Sequence, residues 1–127
     1  MPDRKRQLLR RGSVPLALHG LIEYGIGVLT VAAPFVFDFD DDLAIAIAIV
    51  MGTLIVIFGL ATQAPTGVFR TLPLDSHIVL DYVIALILVI APFVAGFTGD
   101  HAALAYFLII GVGYGALTIV TRFHKPA

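Results

Sequence analysis

The chain has 127 residues, 59% hydrophobic and 13% charged, with a net charge of −1. Soluble domains carry roughly 25% charged residues, so this composition leaves too little polar surface to cover a water-facing fold, and a soluble domain is excluded. No cysteine is present, which excludes disulfides, thiolate nucleophiles and thiolate metal sites.

Residues 1–15 form a basic tail holding Arg4, Lys5, Arg6, Arg10 and Arg11. Beside a membrane helix so short a cluster suits anionic lipid, not nucleic acid. The apolar segment Leu16–Phe37 follows, and at about 22 residues it exceeds the 7–15 of a signal-peptide core. Pro34 directly after Ala32-Ala33 also makes a poor cleavage site, so a retained membrane helix is expected. A short acidic loop, Asp38–Asp42, leads to a second apolar segment, Leu43–Ala61. Residues 62–76 form a longer loop with Pro65, Gly67 and Pro73. Its apolar Val68, Phe69, Leu72 and Leu74 suit the membrane interface. Asp75 or Ser76 is placed to N-cap a third helix over Ile78–Phe97. Thr98–His101 turns into a fourth, Ala102–Thr121, and residues 122–127 are a tail.

Each apolar segment is about 20 residues, enough to cross about 30 Å of hydrocarbon as a helix. Lipid forces the backbone to satisfy its own hydrogen bonds, so all four are expected to be transmembrane helices. The short loops make two antiparallel hairpins, 16–61 and 77–121. All eight basic residues lie in the two tails and the middle loop, the last three being Arg70, Arg122 and Lys125. The positive-inside rule then puts both termini in the cytoplasm and the acidic loop outside, as in a bacterial inner-membrane protein.

The hairpins are copies of one another. His19, Glu23 and Tyr24 align with His77, Asp81 and Tyr82; Ala33-Pro34-Phe35-Val36 aligns with Ala91-Pro92-Phe93-Val94; and Phe39 aligns with Phe97. Asp42 and Asp100 keep the same offset, and Gly52 matches Gly111 after one insertion. Two spans per repeat make both copies point the same way, so a pseudo-twofold axis along the membrane normal is expected.

With these residues in place, the chain resembles the SPW-repeat family of small bacterial membrane proteins. Its unit is a helix pair with Ser-Pro-Trp late in the first helix. Ala33-Pro34-Phe35 and Ala91-Pro92-Phe93 occupy that place here, with the proline retained, alanine for serine and phenylalanine for tryptophan. The resemblance covers about residues 16–121 and implies an all-α, four-helix membrane protein; it brings no established activity.

The polar residues inside the spans are the candidate site. An ionised side chain at a helix centre costs roughly 2.5–3.5 kcal/mol, and less near a boundary. His19 and Glu23 are four apart, as are His77 and Asp81, so each pair shares a helix face. One reading is a buried polar cluster of His19, Glu23, Tyr24, His77, Asp81 and Tyr82, acting as a proton relay or as a polar clamp between repeats. The other is that these groups sit wet at headgroup depth, where tyrosine is common. A third use of His19 and His77, as axial haem ligands, is conceivable at equivalent depth. Pro34 and Pro92 each free a carbonyl one turn back, at Thr30 and Leu88, and mark helix kinks. Ala44, Ala48 and Gly52, with Gly111 and Gly115, form small-residue faces for close packing, within a hairpin or between copies.

No catalytic constellation can be written. Ser13 and Ser76 are the only serines, and no spacing such as His-Glu-x-x-His is present. No enzyme activity, cofactor or metal is therefore expected. The expectation is a structural or accessory subunit, in contact with the bilayer and with a membrane-protein partner or copies of itself. The alternative is a small oligomeric transporter or channel using Glu23 and Asp81.

Overall fold

A computed structural model describes residues 13–123. The tail residues Arg4, Lys5, Arg6, Arg10, Arg11 and Lys125, read above as topology-setting, lie outside the described residues. Four helices are present: α1 (Leu16–Val36), α2 (Asp42–Ala61), α3 (Leu74–Val94) and α4 (His101–Val120). All four are long and apolar enough to cross a membrane. They pair as two hairpins, α1 with α2 and α3 with α4, which touch through α1–α4 and α2–α3. Two short strands, β1 (Val14–Pro15) and β2 (Thr121–Arg122), pair in parallel. The first and last described segments therefore meet at the end of the bundle that also carries the middle loop.

Helical periodicity selects what is buried. On α1 the inward stripe is His19, Glu23, Gly27, Thr30 and Pro34, spaced by three or four residues. Ala44, Ala48, Met51, Ile55 and Gly59 form the stripe on α2. In the half of the bundle near the short turns the interior is apolar: Ala33, Ala44, Ala48, Leu88, Ala103 and Phe107. Large apolar side chains such as Leu21, Val28, Leu86 and Ile109 point outward on every face, which is favourable only in lipid. Phe35 and Phe93, at the place of the motif tryptophan, also face outward, whereas Pro34 and Pro92 are buried.

Close approach within the hairpins depends on glycine. A methyl group added at Gly52 would meet the backbone of Gly27 and Val31 at 2.6 and 2.7 Å, and one at Gly111 would meet Val89 in the equivalent place. Gly115 is less tight, with Ala85 at 3.5 Å. Gly27, not singled out from the sequence, packs on Val56. The second repeat inverts that pair: Ala85 stands on the first helix and Gly115 on the second.

The two outer turns share one design. The residue after each first helix's cap takes a left-handed conformation, Asp38 with φ 52° and Gly96 with φ 77°. Phe39 N–H then donates to Pro34 O, and Phe97 N–H to Pro92 O. Asp41 and Asp100 cap α2 and α4 by accepting from the N–H of Ala44 and Ala103. Asp100 therefore corresponds to Asp41, and not to Asp42 as the constant offset suggests. The extra residue of the second repeat lies between Phe97 and Asp100.

One start also differs from expectation. α3 begins at Leu74, with neither Asp75 nor Ser76 as its cap; Pro73 takes that position without a side-chain bond. Its ring fixes φ near the helical value, and His77 N–H closes the first turn on Pro73 O. The middle loop folds back over α2: Val68 and Phe69 donate to Leu60 O, and Thr71 and Leu72 to Ala61 O. These bonds satisfy the helix's terminal carbonyls.

Candidate functional site

Within the first two turns of α1 and of α3, four ionisable side chains meet inside the bundle. His19, Glu23, His77 and Asp81 are each no more than 4% exposed. His19 Nε2 lies 3.0 Å from Glu23 Oε2 and 3.1 Å from Asp81 Oδ2. His77 Nε2 lies 2.9 Å from Glu23 Oε2 and 3.1 Å from Asp81 Oδ1. The result is a ring of alternating nitrogen and oxygen, with each carboxylate between the two imidazoles. Because α1 supplies one pair and α3 the other, the ring joins the two repeats.

The outer edge of each imidazole is fixed by a threonine from the opposite hairpin. His19 Nδ1 lies 2.7 Å from Thr121 Oγ1, and His77 Nδ1 lies 2.6 Å from Thr62 Oγ1. Both hydroxyls already donate one turn back, Thr62 to Phe58 O and Thr121 to Leu117 O. A hydroxyl has one proton, so it can only accept from the ring, and each Nδ1 is the donor. In the neutral imidazole this leaves the Nε2 lone pair aimed into the ring of carboxylate oxygens.

Asp81 gains a further partner, Tyr114, whose hydroxyl donates to Oδ1 at 2.7 Å. Glu23 has no such donor, and its Oε1 is the one buried side-chain polar atom without a partner among the described residues. The repeat accounts for the difference. With the offset that matches Gly52 to Gly111, the counterpart of Tyr114 is Ile55, which has no hydroxyl to offer. A small cavity of about 10 Å³ lies beside the ring, lined in part by His19, Glu23, Gly59, Thr62 and His77. It has room for about one water-sized ligand.

Tyr24 and Tyr82 do not join this ring. One residue past each acid is about 100° further round the helix. Tyr24 donates to Thr66 O in the middle loop at 2.7 Å, and Tyr82 is exposed on the outer face. The imidazole centroids of His19 and His77 are 6.1 Å apart with carboxylates against both Nε2 atoms, which leaves no place for a porphyrin between them. Further along the bundle, Thr30 Oγ1 donates to Ile26 O and accepts from the Tyr106 hydroxyl, linking α1 to α4.

Sequence reasoning missed Thr62, Thr121 and Tyr114. The two threonines are offset as Gly52 and Gly111 are, so extending the repeat alignment to the helix ends would have found them. Tyr114 carries no repeat signal, since its counterpart is isoleucine.

Outside the spans, Asp100 Oδ2 accepts from the N–H of Asp40 and Asp41 and ties the two outer turns together. Burial opposes its ionisation, but the backbone N–H groups of Asp41, Ala103 and Asp40 outweigh this and hold its carboxyl below the ordinary range.

Fold and site together define an integral membrane protein of four helices, in two homologous hairpins joined by a buried histidine–carboxylate ring. The SPW repeat domain matches residues 17–121, and the chain belongs to that family. No curated protein and no solved structure matches the chain.

Proposed function

We propose that this protein is a non-enzymatic accessory subunit that packs against a larger assembly in a bacterial inner membrane. The observation that carries the reading is how the intramembrane polar groups are used. Glu23, Asp81 and both histidines are turned toward one another, across the junction of the repeats, and away from any path through the bundle. A conducting route would need polar groups continuing toward the outer turns. There Ala33, Leu88 and Phe107 fill the interior, and the Thr30–Tyr106 pair is an isolated hydrogen bond. The outward faces are apolar, and an apolar groove between α2 and α3 is lined by residues including Ile47, Val50, Ile87 and Ile90. The orientation proposed, both termini cytoplasmic, rests on the placement of the basic residues. A pseudo-twofold axis along the membrane normal is supported by the crossed threonine bonds and the matched outer turns.

The second reading, a small oligomeric transporter or channel, is favoured by one feature: Glu23 Oε1 is buried, without a partner and beside a cavity. Native mass spectrometry of protein extracted gently from its own membranes separates the two. Recovery at fixed stoichiometry within a larger complex is expected; recovery as a homo-oligomer alone would overturn the accessory reading. In that event Glu23→Gln with Asp81→Asn should abolish flux in reconstituted vesicles.

A further inference from the structure

We infer that His19, Glu23, His77 and Asp81 form a binding site for one divalent transition-metal ion, which staples the two repeats together. The inference goes beyond the accessory role and does not depend on it.

The ligand atoms of the four residues all lie within 4.8 Å of one another. Metal–ligand bonds of about 2.0–2.2 Å put neighbouring ligands of a tetrahedral site about 3.3 Å or slightly more apart. The four N···O edges here measure 2.9–3.1 Å. Opening these four edges by a few tenths of an ångström, while the N···N and O···O pairs, all within 4.8 Å, draw toward the same spacing, makes room for an ion.

Three further features point the same way. First, the proton on each Nδ1 leaves both Nε2 lone pairs directed inward, as metal ligation by neutral imidazole requires. The threonine behind each ring then does what outer partners of metal-bound histidine do, fixing tautomer and orientation. Second, each Nε2 is near oxygens of both carboxylates, and Glu23 Oε2 is near both Nε2 atoms. In that tautomer no proton stands between the facing lone pairs, and protonating a ring supplies one N–H for two acceptors, whereas a central cation serves all four atoms at once. Third, two carboxylates and one divalent ion sum to zero charge, which suits burial in a bilayer. Two imidazoles and two carboxylates fit the zinc and iron class of ion, not calcium or magnesium, which select all-oxygen sites. The cavity beside Glu23 and His77 offers a route inward from the middle-loop end.

The test is direct. The full chain, in detergent, free of any affinity tag and stripped with chelator, is titrated with Co²⁺. Saturation at about one equivalent is expected, with the visible absorption of four-coordinate Co²⁺ and its displacement by Zn²⁺. Uptake should persist when His101 and His124, the two histidines outside the ring, are replaced by alanine. His77→Gln should weaken uptake on the order of 100-fold. If that variant does not fold, Thr62→Val and Thr121→Val take its place; each keeps the ligands and should weaken binding about 10- to 100-fold. Helical, monodisperse protein that shows no saturable uptake would overturn the inference. So would uptake that is undiminished in His77→Gln, or in both threonine variants.

Discussion

The four tyrosines of the chain occupy four different environments, and removing their hydroxyls one at a time should rank those environments. Tyr114 is fully buried, and its hydroxyl meets Asp81 Oδ1 at 2.7 Å. Hydrogen bonds to a charged group contribute about 1.5–3 kcal/mol. After Tyr114→Phe, Asp81 Oδ1 still has His77 Nε2 at 3.1 Å, and an imidazolium, protonated at Nε2 as well as Nδ1, keeps the carboxylate paired, weakened and not orphaned. The expected loss is therefore about 2 kcal/mol, below the 3–5 of a broken buried ion pair. Tyr106 donates to a neutral hydroxyl, that of Thr30, which keeps its own bond to Ile26 O; Tyr106→Phe should cost about 1 kcal/mol. Tyr24→Phe loses a half-buried bond to the middle loop and should cost at most about 1 kcal/mol. Tyr82 faces outward without a hydrogen bond among the described residues, so Tyr82→Phe should change nothing measurable. Reversible unfolding in mixed detergent–SDS micelles, followed by circular dichroism, gives all four values on one scale. Phenylalanine keeps the ring in every case, so packing is held constant. If Tyr114→Phe costs no more than Tyr106→Phe, the hydroxyl does not support a charged Asp81, and the account of the ring is wrong.

Gly52→Ala places a methyl group against the backbone of Gly27 and Val31 and should destabilise by about 1–3 kcal/mol. Gly113→Ala meets nothing within 4 Å and should be neutral or stabilise by up to about 1 kcal/mol; the micelle assay reads both. At the outer turns, Gly96→Ala forces a side chain into left-handed backbone at φ 77° and should cost about 1 kcal/mol, whereas Asp38→Gly should recover part of that in the first repeat. Asp100 titrates below the ordinary carboxylate range in the folded protein. Its contribution is fully present above the unfolded value near pH 4 and is lost as pH falls through the folded one. Protection of the Asp40 and Asp41 amides, taken against intrinsic exchange at each pH, should fall over that acid window, and Asp100→Ala should remove it at any pH.

The helices were legible because lipid imposes a length and a polarity that a sequence cannot disguise. Leu16 and Ala61 were placed where the structure has them, and the other boundaries moved by four residues or fewer. The largest shift, at the start of α3, occurred because Pro73 begins a helix by fixing its own φ, without the side-chain acceptor that capping rules look for. The pairing of each histidine with an acid was legible from a spacing of four. The meeting of the two pairs was not, because it depends on how the hairpins pack through α1–α4 and α2–α3, and neither hairpin encodes that alone. The tyrosines were misplaced for the reverse reason: adjacency in sequence suggested a shared role, and the 100° step of the helix removed it. Tyr114 carries no such signal because it breaks the repeat: its counterpart is Ile55.

That break bears on how the ring is held. Each hairpin contributes one histidine, one acid and one threonine to the ring and its supports, yet His19 is oriented by Thr121 and His77 by Thr62. Neither hairpin can therefore complete its own half of the site. A lone hairpin would have its histidine without the threonine that fixes its tautomer, and its acid without the second imidazole. Two identical hairpins side by side would restore every one of those contacts, since each would receive its neighbour's threonine. They could not reproduce the Tyr114–Asp81 bond on one side and the unpartnered Glu23 Oε1 on the other. Covalent linkage of the repeats is what permits Ile55 and Tyr114 to differ. The difference makes one carboxylate a braced member of the ring and leaves the other with an unpartnered oxygen, on a residue that lines the cavity. If the ring accepts a ligand from the middle-loop end, Glu23 Oε1 is the ring oxygen that has no partner to give up.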